Sequence, residues 1–253
     1  QYLGKCLHYF GFYIRFQETR DIEVMAIYLI TGTPGHGKSL FTVSLIVEKL
    51  SKTGRQIYAD IDGFDHGKAG TFPFHYEDPA SPGRSISGRH WQEVPDGSIL
   101  ILDECQHSFP VRNPASKVPD YIAAFETHRH RGIDIYLITQ APRYIDRHIW
   151  PLVETHHHFH RMFGLPISNH YTWGGINESP DPANNAENAN KQKFRFPRKY
   201  YGYYKSAVVH TNKARLPVGK LATLVISLIV ASVCGWLVFQ RMSHFGGASA
   251  ASG

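Results

Sequence analysis

The sequence predicts an α/β fold, with a mostly parallel, doubly wound sheet followed by one transmembrane helix near the C-terminus. Three observations support this prediction. Apolar segments of strand length alternate with segments of helical periodicity, which is typical of a parallel sheet covered on both faces. A glycine-rich loop, "TGTPGHGKS", joins the first predicted strand to the first predicted helix. Leu221–Phe239 runs without a charged residue.

Length and composition limit the classes of protein to consider. A chain of 253 residues is long enough for one α/β domain with appendages. Its three cysteines are far apart, which argues against a disulfide scaffold. The formal net charge of +6 fits contact with nucleic acid or anionic lipid, and does not decide between them.

The first 24 residues do not match a secretory signal peptide. Their apolar stretch, Leu7–Phe16, is interrupted by His8 and Arg15, and no small-residue cleavage site follows it. Met25 stands directly before the first predicted strand. We therefore expect translation to start naturally at Met25, with residues 1–24 as an upstream extension.

Hydrophobic periodicity predicts the elements of the main domain. No element is predicted over residues 62–97, which are rich in glycine, proline and serine. Gly54 and Gly132 are predicted to end the helices that precede them. The predicted strands are residues 26–31, 55–61, 98–102, 133–139 and 153–163, and the predicted helices are residues 38–52 and 119–131.

The glycine-rich loop has the spacing Gly-x-x-x-x-Gly-Lys-Ser. Glycines let such a loop curl until its N–H groups point inward at anionic oxygens, and the following helix directs its positive end at the same place. Lys38 is placed to reach β- and γ-phosphates, and Ser39 to bind Mg²⁺. The pattern predicts binding of ATP with Mg²⁺ through Gly32, Thr33, Pro34, Gly35, His36, Gly37, Lys38, Ser39 and Leu40.

The strand at 98–102 ends in an acidic pair, Asp103 and Glu104. Beside a phosphate-binding loop, Asp103 is predicted to hold the Mg²⁺ shell together with Ser39, and Glu104 to polarise the attacking water. Gln140 ends the next predicted strand. It has two interpretations of equal weight, a group that senses the γ-phosphate or orients water, and an ordinary exposed loop residue.

The motif "HRHRG" closes the helix at 119–131. Its two histidines are two positions apart, so on a helix they point to different sides and suit a metal poorly. Basic side chains at a helix C-terminus are explained by the helix dipole. The sharper hypothesis is that Arg129 or Arg131 acts on the γ-phosphate of a neighbouring subunit, which requires a multimer.

A second histidine-rich motif, "HHHFHR", occupies residues 156–161. Strand alternation places His156, His158 and His160 on one face. A basic face for packing or for an acidic partner is favoured over a zinc site.

Four motifs together resemble the zonula occludens toxin (Zot) domain family, which includes the inner-membrane assembly ATPases of filamentous bacteriophages. They are "LITGTPGHGKS", "ILDECQHSFPVR", "HRHRGIDIYLITQAP" and "VETHHHFHRMFG", and they cover about residues 25–165. The resemblance implies a phosphate-loop NTPase that drives phage extrusion while single-stranded DNA exchanges its coat. Phage coat protein and an outer-membrane secretin are the implied partners. Two departures are residues 1–24 and the nearly absent periplasmic region, since the chain ends in "GGASAASG".

A single membrane span is predicted over residues 218–240. As a helix, its uncharged centre is roughly 28 Å long, close to the ~30 Å of bilayer hydrocarbon. A buried core helix is the alternative, but core helices rarely lack a polar face over such a length. Only Arg241 follows the span, so the positive-inside rule places the ATPase domain in the cytoplasm and the C-terminus in the periplasm of the host inner membrane. The preceding basic residues are Arg198, Lys199, Lys205, Lys213, Arg215 and Lys220.

The segment before this span, residues 194–205, is rich in aromatic and basic residues. Such a segment either stacks single-stranded bases or lies at lipid headgroups, and its position favours the headgroups. The predicted division is an extension (1–24), the ATPase domain (25–176), a linker with the basic juxtamembrane segment (177–217), the span (218–240) and a short tail (241–253).

The function predicted from these features is that of a multimeric, membrane-anchored ATPase that powers assembly and extrusion of filamentous phage. Three alternatives remain open. One is a DNA-pumping ATPase of the conjugation or packaging type. The others are a non-hydrolysing membrane adaptor switched by nucleotide and a toxin-like binding module.

Overall fold

The computed structural model describes residues 25–180, 188–204 and 218–247 and contains an eight-stranded sheet of order β3-β2-β4-β5-β1-β6-β7-β8. Strands β1 to β6 run parallel, and β7 and β8 join antiparallel. The predicted α/β fold is therefore confirmed, and its sheet is mixed. The strands are β1 (Ile27–Thr31), β2 (Ile57–Asp60), β3 (Phe72–Pro73), β4 (Ile99–Leu102), β5 (Asp134–Ile138), β6 (Val153–Arg161), β7 (Ile167–Gly174) and β8 (Asn190–Arg195).

The central strands are buried on both faces. Every residue of β4 and β5 is buried, which explains why β4 and residues 135–138 of β5 are uninterrupted apolar runs in the sequence. One core cluster, around Trp91, Phe109 and Phe125, covers one face. A second cluster, around Phe41 and Phe159, covers the other. These two layers hold the carboxyl ends of the parallel strands in place.

The first helix, α1 (Lys38–Glu48), begins where the glycine-rich loop ends. The sequence predicts one helix over 38–52, and the structure instead continues from α1 into a 3₁₀ turn at Leu50–Thr53. Gly54 terminates this turn with a left-handed φ of 72°, a conformation that favours glycine. The predicted end of the helical segment is confirmed.

The helix predicted at 119–131 is α-helical only in α3 (Asp120–Ala123), and Ala124–Arg131 form a 3₁₀ helix. A 3₁₀ helix has three residues per turn, so side chains three positions apart form one row. This spacing fits a 3₁₀ helix here, because a single row of side chains three positions apart then faces the core. The fully buried residues of the segment are Ile122, Phe125 and His128.

The segment 62–97, for which the sequence predicts no element, contains α2 (His66–Ala69), the two-residue strand β3 and a 3₁₀ helix at Ser87–Glu93. These pieces are too short to produce a periodic pattern. The segment nevertheless contributes Trp91 to the core.

The sheet extends beyond residue 176, where the sequence predicts the end of the domain. Strand β7 was not predicted, and β8 lies in the segment assigned to the linker and membrane surface. In β8, exposed Lys191, Lys193 and Arg195 alternate with less exposed residues, as in an edge strand covered on one face. The preceding proline- and asparagine-rich stretch obscured this pattern.

A long helix, α4 (Val218–Gly247), is the last described element. Within the part of the chain that the structure describes, none of the helices combines the length and the apolar character that crossing a membrane requires. The predicted span at 218–240 therefore stays a prediction. The extension 1–24, residues 205–217 of the juxtamembrane segment and residues 248–253 of the tail lie outside the described residues.

Candidate nucleotide site

The predicted site residues meet at the carboxyl edge of three adjacent parallel strands. The glycine-rich loop follows β1, the acidic pair follows β4, and Gln140 follows β5. In the register, Ile30 pairs with Ile138 and Leu102 with Leu137, so the three strands end at similar heights. Ligands of open α/β sheets bind at this edge.

Three glycines give the loop its curled shape. Gly32, Gly35 and Gly37 have φ values of 142°, 78° and 95°, a region that residues with a Cβ rarely adopt. A Cβ at Gly32 would lie 2.5 Å from the carbonyl oxygen of Phe159, and one at Gly37 would lie 2.7 Å from the ring of Phe196. Backbone conformation and close packing therefore both require glycine at these two positions.

Lys38 is held over the loop that precedes it. Its side chain is buried, and its Nζ donates to the carbonyl oxygen of Gly32 at 2.7 Å. Burial lowers the pKa of Lys38, and the carboxylates of Asp103 and Glu104 oppose that change. The ammonium group thus lies beside the first glycine of the loop and interacts with the charges of both acids.

Ser39 and Asp103 provide the oxygen atoms that suit Mg²⁺. The Ser39 hydroxyl donates to Asp103 Oδ2 at 3.4 Å. Loss of water around the carboxyl group, together with the nearby Glu104 carboxylate, raises the pKa of Asp103 to about 6. Among the described residues no group of three or more His, Cys, Asp or Glu side chains could hold a metal. This donor set fits an ion that takes one or two protein ligands and completes its shell with phosphates and water.

Glu104 is held by a chain of side-chain hydrogen bonds from the neighbouring strand. Its backbone is left-handed, with φ of 45°, and its amide donates to Asp103 Oδ1 at 2.9 Å. Gln106 Nε2 donates to Glu104 Oε2. Thr139, fully buried after β5, donates its hydroxyl to Gln106 Oε1 at 2.7 Å. This bond fixes the Gln106 amide so that its NH₂ group faces Glu104.

The sequence alone predicts no role for Gln106 or Thr139. Gln106 belongs to the motif "ILDECQHSF". Its proximity to the acidic pair was therefore visible in the sequence, but its bond to β5 was not.

Gln140 is connected to the phosphate loop through its main chain. Its carbonyl oxygen accepts the Gly32 amide at 3.1 Å, and its side chain is half-buried. The segment that follows β5 is therefore tied directly to the start of the loop.

The remaining loop positions contribute mainly backbone. Thr33 and Pro34 are exposed, and the side chain of Leu40 is buried in the core. Leu40 therefore offers only its amide to a phosphate.

Further support for the loop comes from β6 and β7. His36 Nδ1 hydrogen-bonds the Phe159 carbonyl at 3.0 Å, and Ser168 Oγ donates to the His36 carbonyl at 2.7 Å. Arg161 Nη1 donates to the Gly35 carbonyl at 3.2 Å. These contacts were not predicted, because they join positions more than a hundred residues apart.

The two arginines of "HRHRG" lie away from this site within one protomer. They precede β5, whereas the loop lies at the carboxyl end of that strand. Arg129 pairs with Glu154 at 3.0 Å. Arg131 pairs with Asp96 at 2.7 Å and donates to the carbonyl oxygens of Gln92 and Val94. Arg131 is thus held by three contacts within the protomer.

The histidine-rich motif faces the interior over part of its length. Thr31 Oγ1 hydrogen-bonds His156 Nε2 at 2.6 Å and His158 Nδ1 at 2.8 Å, whereas His160 is exposed. Burial, with smaller effects of neighbouring histidines, lowers the pKa of His156 to about 3. The expectation of a basic face is therefore wrong at His156, which is neutral near pH 7.

Comparison with known proteins agrees with this architecture. The family model for zonular occludens toxin (Zot) matches residues 26–211. A putative assembly protein of Pseudomonas phage Pf3 is 34% identical over 207 residues, which are 81% of this chain and 65% of the relative. The zona occludens toxin of Vibrio cholerae serotype O1 is 27% identical over 139 residues, 46% of this chain and 35% of the relative. The chain thus spans less than two thirds of the length of these two relatives.

A solved structure is also similar. The crystal structure of the N-terminal domain of zonular occludens toxin from Neisseria meningitidis superposes with a TM-score of 0.55 at 29% identity, covering 71% of this chain and 98% of that one. The family match includes the phosphate loop, the acidic pair and both strands, β7 and β8, that the sequence analysis did not predict. On the extent of that match, the chain belongs to the zonular occludens toxin (Zot) family.

Proposed function

We propose that this protein binds ATP with Mg²⁺ and hydrolyses it. The observation that carries the proposal is the meeting of a glycine-curled loop, its lysine and two carboxylates at one edge of the sheet. Lys38 lies close enough to Asp103 and Glu104 for their charges to affect its pKa. A triphosphate with its metal supplies the opposite charges that this mixed cluster can bind.

Each residue has a distinct task in the proposed reaction. The loop amides and the N-terminus of α1 bind the phosphate oxygens, and Lys38 neutralises charge on the β- and γ-phosphates. Ser39 and Asp103 hold Mg²⁺, which when bound would neutralise charge developing on the phosphates. Glu104 accepts a proton from the attacking water, and the Gln106 amide holds that carboxylate in position. The hydrogen bond from Gln106 restrains Glu104 and leaves its second oxygen for water.

Hydrolysis can be tested with two substitutions in the full chain. Lys38→Ala should abolish ATP binding, whereas Glu104→Gln should retain binding and lose turnover, because an amide cannot accept the proton. Glu126→Gln, at an exposed position outside the site, is the matched control. Wild-type turnover in Glu104→Gln would show that Glu104 is not the base.

We further propose that the protein works as a multimer in which Arg129 or Arg131 reaches the γ-phosphate of a neighbouring subunit. Within one protomer these arginines lie away from the loop, so they could act in catalysis only on the nucleotide of a second copy. Subunits carrying Lys38→Ala, mixed with subunits carrying Arg129→Ala and Arg131→Ala, should recover activity. Failure of proven mixed assemblies to recover would leave the arginines with a structural role.

The biological role proposed is assembly and extrusion of filamentous phage from the host inner membrane. Support comes from the relative described as a putative phage assembly protein and from the uncharged segment Leu221–Phe239. The proposed arrangement places the ATPase domain in the cytoplasm and one span at 218–240. Phage coat protein, an outer-membrane secretin and the single-stranded DNA–protein complex are the proposed partners. Stimulation of ATP hydrolysis by purified coat protein would test this role.

A further inference from the structure

The arrangement of the site gives a bound triphosphate a direction. Asp103 and Glu104 follow β4, which lies beyond β5 on one side of β1. If the proposed function is correct, the γ-phosphate lies on that side, near the metal ligands and the base. The nucleoside end must then leave the loop on the opposite side, toward β6.

Two side chains converge on this opposite side. Thr31 at the end of β1 pairs with His158, so β6 continues past β1 and brings Arg161 beside the loop. Strand β8 runs in the same direction as β6, since both are antiparallel to β7. Phe196, which directly follows β8, therefore lies at the same edge, and its amide donates to the Pro166 carbonyl at 3.0 Å.

Arg161 and Phe196 form a pair that touches the phosphate loop. The Arg161 guanidinium lies 5.4 Å from the centre of the Phe196 ring. Arg161 is oriented by donating from Nε to the Leu165 carbonyl at 2.8 Å and from Nη1 to the Gly35 carbonyl at 3.2 Å. The Phe196 ring packs so closely on Gly37 that an added Cβ would lie 2.7 Å from it.

The chemistry of this pair suits a nucleobase. A planar guanidinium and an aromatic ring both stack on flat π-systems, and the guanidinium adds positive charge near the inner phosphates. Phe196 is half-buried rather than enclosed in the core.

We propose that Arg161 and Phe196 form the nucleoside subsite of the ATP site, with the base stacking on this pair. The proposal rests on the proposed nucleotide binding and adds to it the residues that recognise the base. It explains why the last strand of the domain, β8, ends beside a loop that is formed more than 150 residues earlier in the sequence.

The test compares two ligands that share a triphosphate and differ in the nucleoside. Binding of ATP and of inorganic tripolyphosphate, each with Mg²⁺, is measured by calorimetry on the full chain. The test variant is Phe196→Leu, which keeps apolar bulk against Gly37 and removes the aromatic face. Phe196→Tyr should restore stacking. Phe72→Ala, at an exposed aromatic position in β3 at the opposite edge of the sheet, is the control.

Phe196→Leu is expected to weaken ATP binding by about tenfold or more, the scale of one lost base–aromatic stack, and to leave tripolyphosphate binding unchanged. Equal weakening of both ligands would mean that Phe196 only shapes the loop, and no weakening of either would mean that the base lies elsewhere. Both results overturn the subsite. Failure of the wild-type chain to bind either ligand in a Lys38-dependent manner would instead reject the proposed nucleotide site.

Discussion

Acidification is expected to destabilise the protein through histidines that are buried in the neutral form. His156 and His170 are buried and His157 is half-buried, on strands β6 and β7. Burial, with smaller effects from neighbouring histidines, lowers the pKa of His156 and of His170 to about 3. Burial alone lowers that of His157 to about 4. Each value lies well below the usual value near 6.5.

The direction of this pH effect depends on whether the folded protein or the unfolded chain takes up protons first as the pH falls. As the pH falls below about 6.5, these histidines take up protons in the unfolded chain and not in the folded protein, so the free energy of unfolding decreases. At about pH 5 each of the two buried histidines lowers the free energy of unfolding by about 2 kcal/mol relative to pH 7. His156 and His170 together lower it by about 4 kcal/mol.

Two further groups modify this sum. His157 contributes less than an independent site, because its Nδ1 shares a hydrogen bond of 2.9 Å with His170 Nε2. Asp103 acts in the opposite direction, since its pKa of about 6 means that the folded protein takes up a proton before the unfolded chain does. That uptake raises the free energy of unfolding by about 1 kcal/mol at about pH 5. Before the contribution of His157 is added, the net loss is about 3 kcal/mol, which is already a large part of the stability of an ordinary domain.

Urea unfolding followed by tryptophan fluorescence at about pH 7 and about pH 5 measures this loss. His170→Phe is the test variant, because the His170 ring already stacks on Phe159 with a centroid distance of 4.5 Å. It should remove about 2 kcal/mol of the pH dependence. His130→Gln, at an exposed position, should keep all of it. Equal stability of the wild-type chain at the two pH values would refute the reasoning.

Three other predictions concern Thr139, the two arginines that precede β5, and the orientation of the chain in the membrane. Thr139→Val should slow ATP turnover by about tenfold with little change in KM, because it frees the Gln106 amide to rotate; Thr139→Ser should restore the rate. Arg131→Ala should lower the free energy of unfolding by ~1–3 kcal/mol, because it loses hydrogen bonds to two carbonyl oxygens. Arg129→Ala loses only an exposed ion pair, so it should lower the same quantity by under ~1 kcal/mol. Urea unfolding measures both changes. A reporter enzyme fused after Arg241 should be active only in the periplasm, and cytoplasmic activity would contradict the proposed orientation.

The sequence predicted the parts of the site that depend on local pattern. The phosphate loop is one continuous stretch, and β4 and residues 135–138 of β5 are apolar runs because they are buried on both faces. Their shared edge follows from the geometry of parallel sheets. These features therefore needed no knowledge of distant contacts.

The sequence did not predict the contacts that depend on distant pairing. Strand β8 is polar on its exposed side and follows an asparagine-rich stretch, so it was assigned to the linker. The neutral state of His156 depends on how β6 is covered, and the orientation of Gln106 depends on Thr139, which follows β5. Such properties arise only when strands far apart in sequence become neighbours.

The position of β1 in the sheet has a consequence for the order of folding. Although β1 is the first strand in the sequence, its neighbours are β5 and β6. During synthesis the phosphate loop emerges long before Gln140 and Phe159, the residues whose carbonyl oxygens abut Gly32. Phe196, which packs on Gly37, is synthesised later still. A nascent chain therefore carries the complete phosphate-binding motif but not the fixed loop, and acquires that loop only after most of the domain has left the ribosome.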